Sequence, residues 1–160
     1  AEGIRFTCIL ELAYGSGNLK ITSTDPNVQP ELNYNYFQDD PRDLSRLNEA
    51  VRKCVSVLNH DDYKPIVKRL LEPQPADLES DETLNLWLKR SVTTTQHISG
   101  TCKMGPDSDP LAVVNQQGVV KGLRGLRVAD ASIMPDCIRA NTNCTTIMIG
   151  ERIAEWIKQG

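Results

Sequence analysis

His97 is the residue of this chain best suited to moving a proton. Its imidazole is one of only two, with His60. Imidazole takes or gives a proton near neutrality with less environmental help than any other side chain. His97 closes an extended run and leads into Ser99-Gly100-Thr101-Cys102-Lys103-Met104-Gly105. Further on, Asn141 and Asn143 straddle Thr142 at the start of a helical pattern. An asparagine amide exchanges no protons at neutral pH but donates and accepts hydrogen bonds. Asp130 and Ala131 leave a short apolar strand, and Arg139 follows. Each of these has an ordinary structural reading. A lone histidine is commonly structural or exposed, Asn is a preferred helix cap, and an aspartate after a strand forms turns. Arg139 reads as a solvated charge, and Met104 and Met148 as filling. Residue type and spacing leave both readings open.

Other chemistries are excluded more firmly. No GxGxxG, Walker loop, GxSxG or HExxH is present, since Gly15-Ser16-Gly17 continues Asn-Leu-Lys. The five cysteines, at 8, 54, 102, 137 and 144, form no CxxC, and the two histidines stand apart. That pattern argues against a structural metal site and against a disulfide framework. Reduced cysteines suit a cytosolic chain. With 18 basic against 21 acidic residues and a net charge of −3, no basic stripe points to nucleic acid. No apolar run approaches the roughly 20 residues of a membrane span. Leu, Ile, Val and Phe make up 40 of the 160 residues, enough for a packed core. The chain opens Ala1-Glu2-Gly3, with neither Met nor a basic-then-apolar leader, and reads as a processed, trimmed or excised segment.

The elements that position these residues can be read from periodicity. Residues 4–13 are rich in apolar and β-branched side chains and predict a strand. Gly15-Ser16-Gly17 turns it into a second at 18–23, and Leu32, Tyr34 and Tyr36 alternate as a third. Asp40-Pro41 predicts a helix start, with Leu44, Leu47, Val51, Val55 and Leu58 along one stripe. A short helix fits 66–71, and another starts at Asp81-Glu82. Beyond residue 90 an extended run at 91–96 is followed by short strands at 119–120 and 126–129, separated by Gly122 and Gly125. The last helix starts near Thr142 or Asn143 and carries Ile149, Ile153, Trp156 and Ile157. The predicted class is α+β. An antiparallel or mixed sheet with packed helices occupies the front, and a closing strand–helix segment of an α/β domain follows.

Three blocks in order, His97–Gly105 (HISGTCKMG), Gly125–Pro135 (GLRVADASIMP) and Asn141–Gly150 (NTNCTTIMIG), resemble the C-terminal part of the glucose-methanol-choline (GMC) flavoprotein oxidoreductases. The front agrees through Gly15–Pro26 (GSGNLKITSTDP), Asn33–Phe37 (NYNYF) and the helix after Asp40. The resemblance runs over about residues 13–158 and is strongest to choline dehydrogenase- and oxidase-like members. It implies that 1–92 belong to a substrate-binding (cap) domain. It also implies that 93–160 complete an FAD domain and its active site.

The resemblance further implies alcohol oxidation, in which the carbinol carbon gives hydride to flavin N5 while a histidine takes the hydroxyl proton. His97 matches that histidine, and Asn141 the position that is His or Asn in the family. Asn143 and Thr142, at the helix start, would face the flavin pyrimidine, and Asp130 and Ala131 match an FAD-contact segment. His97 and Asn141 would then grip one alcohol oxygen in an open pocket, roughly 4–6 Å apart. The implied partners are a small-molecule alcohol and the N-terminal FAD-binding region of a longer enzyme, with no metal. Because the dinucleotide fingerprint is missing here, the chain alone is expected neither to retain FAD nor to turn over. Two other readings remain open. One is a non-catalytic fragment or binding module, and the other a hydroxynitrile-lyase-like member of the same fold.

Overall fold

The computed structural model describes residues 3–159. The chain divides into two compact units, Ala1–Thr93 and Thr94–Gly160, each with its own core. The architecture is mixed α+β. Among the described residues it holds three α-helices, three short 3-10 turns and one two-stranded antiparallel sheet.

In the first unit, helix α1 (Pro41–Leu58) starts as predicted. Asp40 is extended at φ −142°, its carboxylate accepts from the Arg42 amide, and Pro41 fills the first helical position. Such a cap contributes about 1 kcal/mol. Helix α2 (Asp81–Ser91) is capped by Ser80 and Thr83, each side chain accepting from the other's backbone amide. Leu47 and Val51 of α1 and Leu84 and Leu88 of α2, each pair four residues apart, bury against one another. Cys8, Leu10, Phe37 and Trp87 pack around this cluster. The two helices are also joined by an Asn48–Asn85 side-chain hydrogen bond of 2.9 Å and an Arg52–Asp81 ion pair of 2.7 Å.

The predicted sheet is smaller than expected. Strand β1 (Asn18–Lys20) pairs with β2 (Glu31–Asn33) through Leu19↔Leu32, and neither extends further. Gly17 marks the near end, where a Cβ would lie 2.2 Å from the Asn33 carbonyl oxygen. Tyr34 and Tyr36 leave the ladder and stack on each other at 5.3 Å. The described part of 4–13 forms no strand. Cys8 and Leu10 pack on the α1 and α2 cluster while Ile4, Phe6 and Ile9 stay exposed, and side chains serve the backbone at its end. Tyr14 and Gly15 amides donate to the buried Asp43 carboxylate at 2.8–3.0 Å, and Arg46 donates to the Glu11 and Leu12 carbonyls. The helix expected at 66–71 is also absent, because the turn closes earlier as a 3-10 helix at Asp61–Tyr63. Pro65 and Pro73 flank the remaining stretch.

In the second unit, helix α3 (Asn143–Gln159) begins where predicted and packs Ile149 and Ile153 against Val114, Ile133 and Met134. The strands expected at 119–120 and 126–129 reduce to single bridges, Val119↔Arg127 and Val114↔Val120. Gly122 and Gly125, at φ +78° and +74°, turn the chain back too soon for a longer ladder. Gly118 is the tightest point of this core. Its φ is +72°, and a Cβ would meet the Val128 carbonyl at 2.6 Å and Ile153 Cδ1 at 2.7 Å.

Candidate active site

The three C-terminal sequence blocks meet in the second unit. Gly100, Cys102 and Met104 amides donate in alternation to the carbonyls of Ala131, Ser132 and Ile133, at 3.3, 2.9 and 2.8 Å. The segment after His97 therefore lies alongside the segment after Asp130. Met104, Ala131, Met134 and Ile149 share one apolar cluster, which ties both segments to α3. The structure thus gives the His97 loop and the start of α3 a common support.

His97 is half-buried and follows Gln96, whose φ of +65° turns the chain. Its Nε2 lies 3.2 Å from Asn141 Nδ2. An amide nitrogen only donates, so in this arrangement Nε2 accepts and the ring proton resides on Nδ1. Thr95 Oγ1 stands on that side, 3.5 Å from Nδ1. Asn141 precedes α3 by two residues, and its side chain meets His97. The pair is closer than the 4–6 Å expected around a shared oxygen, because the two side chains bond directly to each other.

The remaining predicted residues are placed as follows. Thr142 offers its carbonyl to the Thr146 amide and hydroxyl at 2.9 and 2.8 Å, starting the helical ladder. Asn143 is the first residue of α3 and exposed, and no acidic residue occupies the first turn. Asp130 caps the 3-10 helix Ala131–Ile133. Its carboxylate is engaged by the Ser132 amide at 2.8 Å and hydroxyl at 2.5 Å. Ala131 is half-buried. Met104 fills the core as predicted, whereas Met148 is exposed. Thr95 stands outside the predicted set. Its signal was position alone, two residues before the histidine. A groove of about 580 Å³ lies elsewhere, between Pro41, Asn48, Arg52 and Asn85 of the first unit, and includes none of these residues. Among the described residues no cluster of His, Cys, Asp or Glu is arranged to hold a metal, and no helix is long and apolar enough to cross a membrane.

A mixed α+β fold thus brings a histidine and an asparagine together beside a helix N-terminus. The family model for the GMC oxidoreductases, in its C-terminal part, matches residues 13–150. The chain belongs to the GMC oxidoreductase family, which is FAD-dependent, and represents its C-terminal region. It is 41% identical over 142 residues to an oxygen-dependent choline dehydrogenase of Cronobacter sakazakii, covering 89% of this chain and 25% of that one. A second, from Photobacterium profundum, is 38% identical over 144 residues, with 88% and 24% covered. The chain thus spans about a quarter of the length of these relatives. Among solved structures, pyridoxine 4-oxidase from Mesorbium loti superposes with a TM-score of 0.80 at 29% identity, over 90% of this chain and 27% of that one. Formate oxidase of Aspergillus oryzae gives 0.81 at 27% identity, over 92% and 25%.

Proposed function

We propose that this chain is the C-terminal catalytic portion of an FAD-dependent oxidoreductase acting on the CH–OH group of a small alcohol. His97 is the base, and Asn141 orients the alcohol oxygen. The observation that carries this reading is the 3.2 Å approach of Asn141 Nδ2 to His97 Nε2. It places a lone pair that can take a proton beside a donor that can steady the oxygen losing it. Bound FAD supplies the acceptor for the hydride leaving the carbinol carbon.

The side chains act in a definite order. An alcohol oxygen bonded to both nitrogens holds them roughly 4–6 Å apart, so substrate entry parts the pair by side-chain rotation. Nε2 then receives the hydroxyl proton while the Asn141 amide donates to the developing alkoxide. Thr95 lies on the Nδ1 side of the ring, where the existing proton sits. The residues that would hold the flavin are Thr142 and Asn143 together with the segment at Asp130–Ala131. The N-terminus of a 17-residue helix with no acidic group in its first turn suits an electron-rich ring edge. The Asp130 carboxylate is already committed to Ser132, so the contribution of that segment falls to its backbone.

The division into Ala1–Thr93 and Thr94–Gly160 supports a substrate-binding part followed by one that completes the FAD domain. The remainder of that domain, with the dinucleotide fingerprint, would be the N-terminal partner. The test is a full-length enzyme carrying this segment, incubated with choline or simple primary alcohols and an artificial electron acceptor. Alcohol-dependent reduction of the acceptor is expected. Cyanohydrin cleavage without acceptor reduction would identify a lyase instead, and neither reaction would identify a binding module.

A further inference from the structure

The first unit contains a feature that alcohol oxidation does not use. Cys8 and Cys54 are 46 residues apart in sequence, yet the Cys8 thiol donates to the Cys54 sulfur across 3.2 Å. Both are half-buried. Cys8 belongs to the extended segment before β1, and Cys54 lies in the next-to-last turn of α1. A disulfide requires sulfurs about 2.05 Å apart, so closure asks the two sulfurs to approach by only about 1 Å. The same segment is already held to α1 at its other end. There Asp43 takes the Tyr14 and Gly15 amides, and Arg46 the Glu11 and Leu12 carbonyls.

We propose that Cys8 and Cys54 are a redox-sensitive modification site, closed to a disulfide by a hydroperoxide and reopened by thiol reductants. The bond would fasten the extended segment to α1 at a second point. In the first step one thiol attacks the peroxide, the O–O bond breaks, and a sulfenic acid and an alcohol (or water) result. In the second step the other thiol displaces hydroxyl from the sulfenic sulfur. The S–S bond forms and water leaves with the remaining thiol hydrogen. Two electrons pass from the sulfurs to the peroxide. Burial, and then the neighbouring Cys54 sulfur, push the Cys8 thiol up to about 12. Either sulfur can take the peroxide oxygen and the other resolve it, because the two already face each other at 3.2 Å. Cys102, Cys137 and Cys144 belong to the other unit and serve as internal comparisons.

The experiment uses the reduced 160-residue chain. It is treated with hydrogen peroxide, alkylated and digested with trypsin without reduction. Peptides 6–20 and 54–68 should appear joined, with Lys64 uncut before Pro65, and dithiothreitol should separate them. The oxidised chain should melt about 5 °C or more above the reduced one, since the bond closes a long loop. Cys8→Ser should abolish that shift. Alkyl label on Cys8 and Cys54 after oxidation, sulfinic acid at either, or pairing with another cysteine would overturn the proposal. The wild-type peptide map decides the question even if Cys8→Ser does not fold.

Discussion

Replacing His97 by Ala in a full-length enzyme carrying this segment is expected to lower turnover on alcohols by about 10²–10⁴-fold, the usual cost of a positioned acid–base group. Asn141→Ala should cost less, about 10²-fold, the lower end of what one oxyanion donor supplies. The difference follows from the two nitrogens that face each other. His97 Nε2 offers a lone pair, so it can become protonated, whereas Asn141 Nδ2 can only donate. Without Asn141 the imidazole keeps Thr95 beside Nδ1 and the loop pinned by Gly100, Cys102 and Met104. Without His97 the amide has no base to complement. Turnover measured side by side, at matched flavin content, checks this. Equal losses, or a larger loss at Asn141, would mean that the roles are reversed or shared.

The second large effect concerns the cofactor. The isolated chain should show no stoichiometric FAD binding in the low micromolar range when flavin fluorescence is followed in a titration. The residues proposed to approach flavin, Asp130, Ala131, Thr142 and Asn143, offer a few hydrogen bonds worth about 1 kcal/mol each. A micromolar dissociation constant needs about −8 kcal/mol, and association first costs at least about 4 kcal/mol in lost freedom. The pyrophosphate contacts that would close that gap come from a glycine-rich turn, and no GxGxxG occurs in these residues. Tight stoichiometric binding would show that these four positions, or others in the chain, hold far more of the cofactor than proposed.

Helix α1 was legible because several local signals agreed: the Asp40 cap, Pro41 at the first position and a stripe through Leu47 and Val51. Helices α2 and α3 were readable for the same reason. Residues 4–13 misled because apolar, β-branched composition is shared by strands and by extended segments that pack only some of their side chains. Here Cys8 and Leu10 pack on a pair of helices, and Arg46 takes the place of a neighbouring strand for the Glu11 and Leu12 carbonyls. Val119–Val120 and 126–129 misled differently. Their glycines announced turns, but only the folded chain shows that a single bridge remains between them. The meeting of His97 with Asn141 across 44 residues has no signature in spacing. It was foreseen only through the family resemblance. The Cys8–Cys54 contact had no signal at all, since a gap of 46 residues says nothing about distance in space.

The most direct test of the central claim is the rate of flavin reduction in the absence of oxygen. A full-length enzyme carrying this segment is mixed rapidly with its alcohol, and the loss of oxidised-flavin absorbance is followed. If His97 accepts the hydroxyl proton as hydride leaves, His97→Ala should bleach at least about 10²-fold more slowly than the wild type, and added imidazole should restore part of the rate. Bleaching of the variant at the wild-type rate would contradict the account.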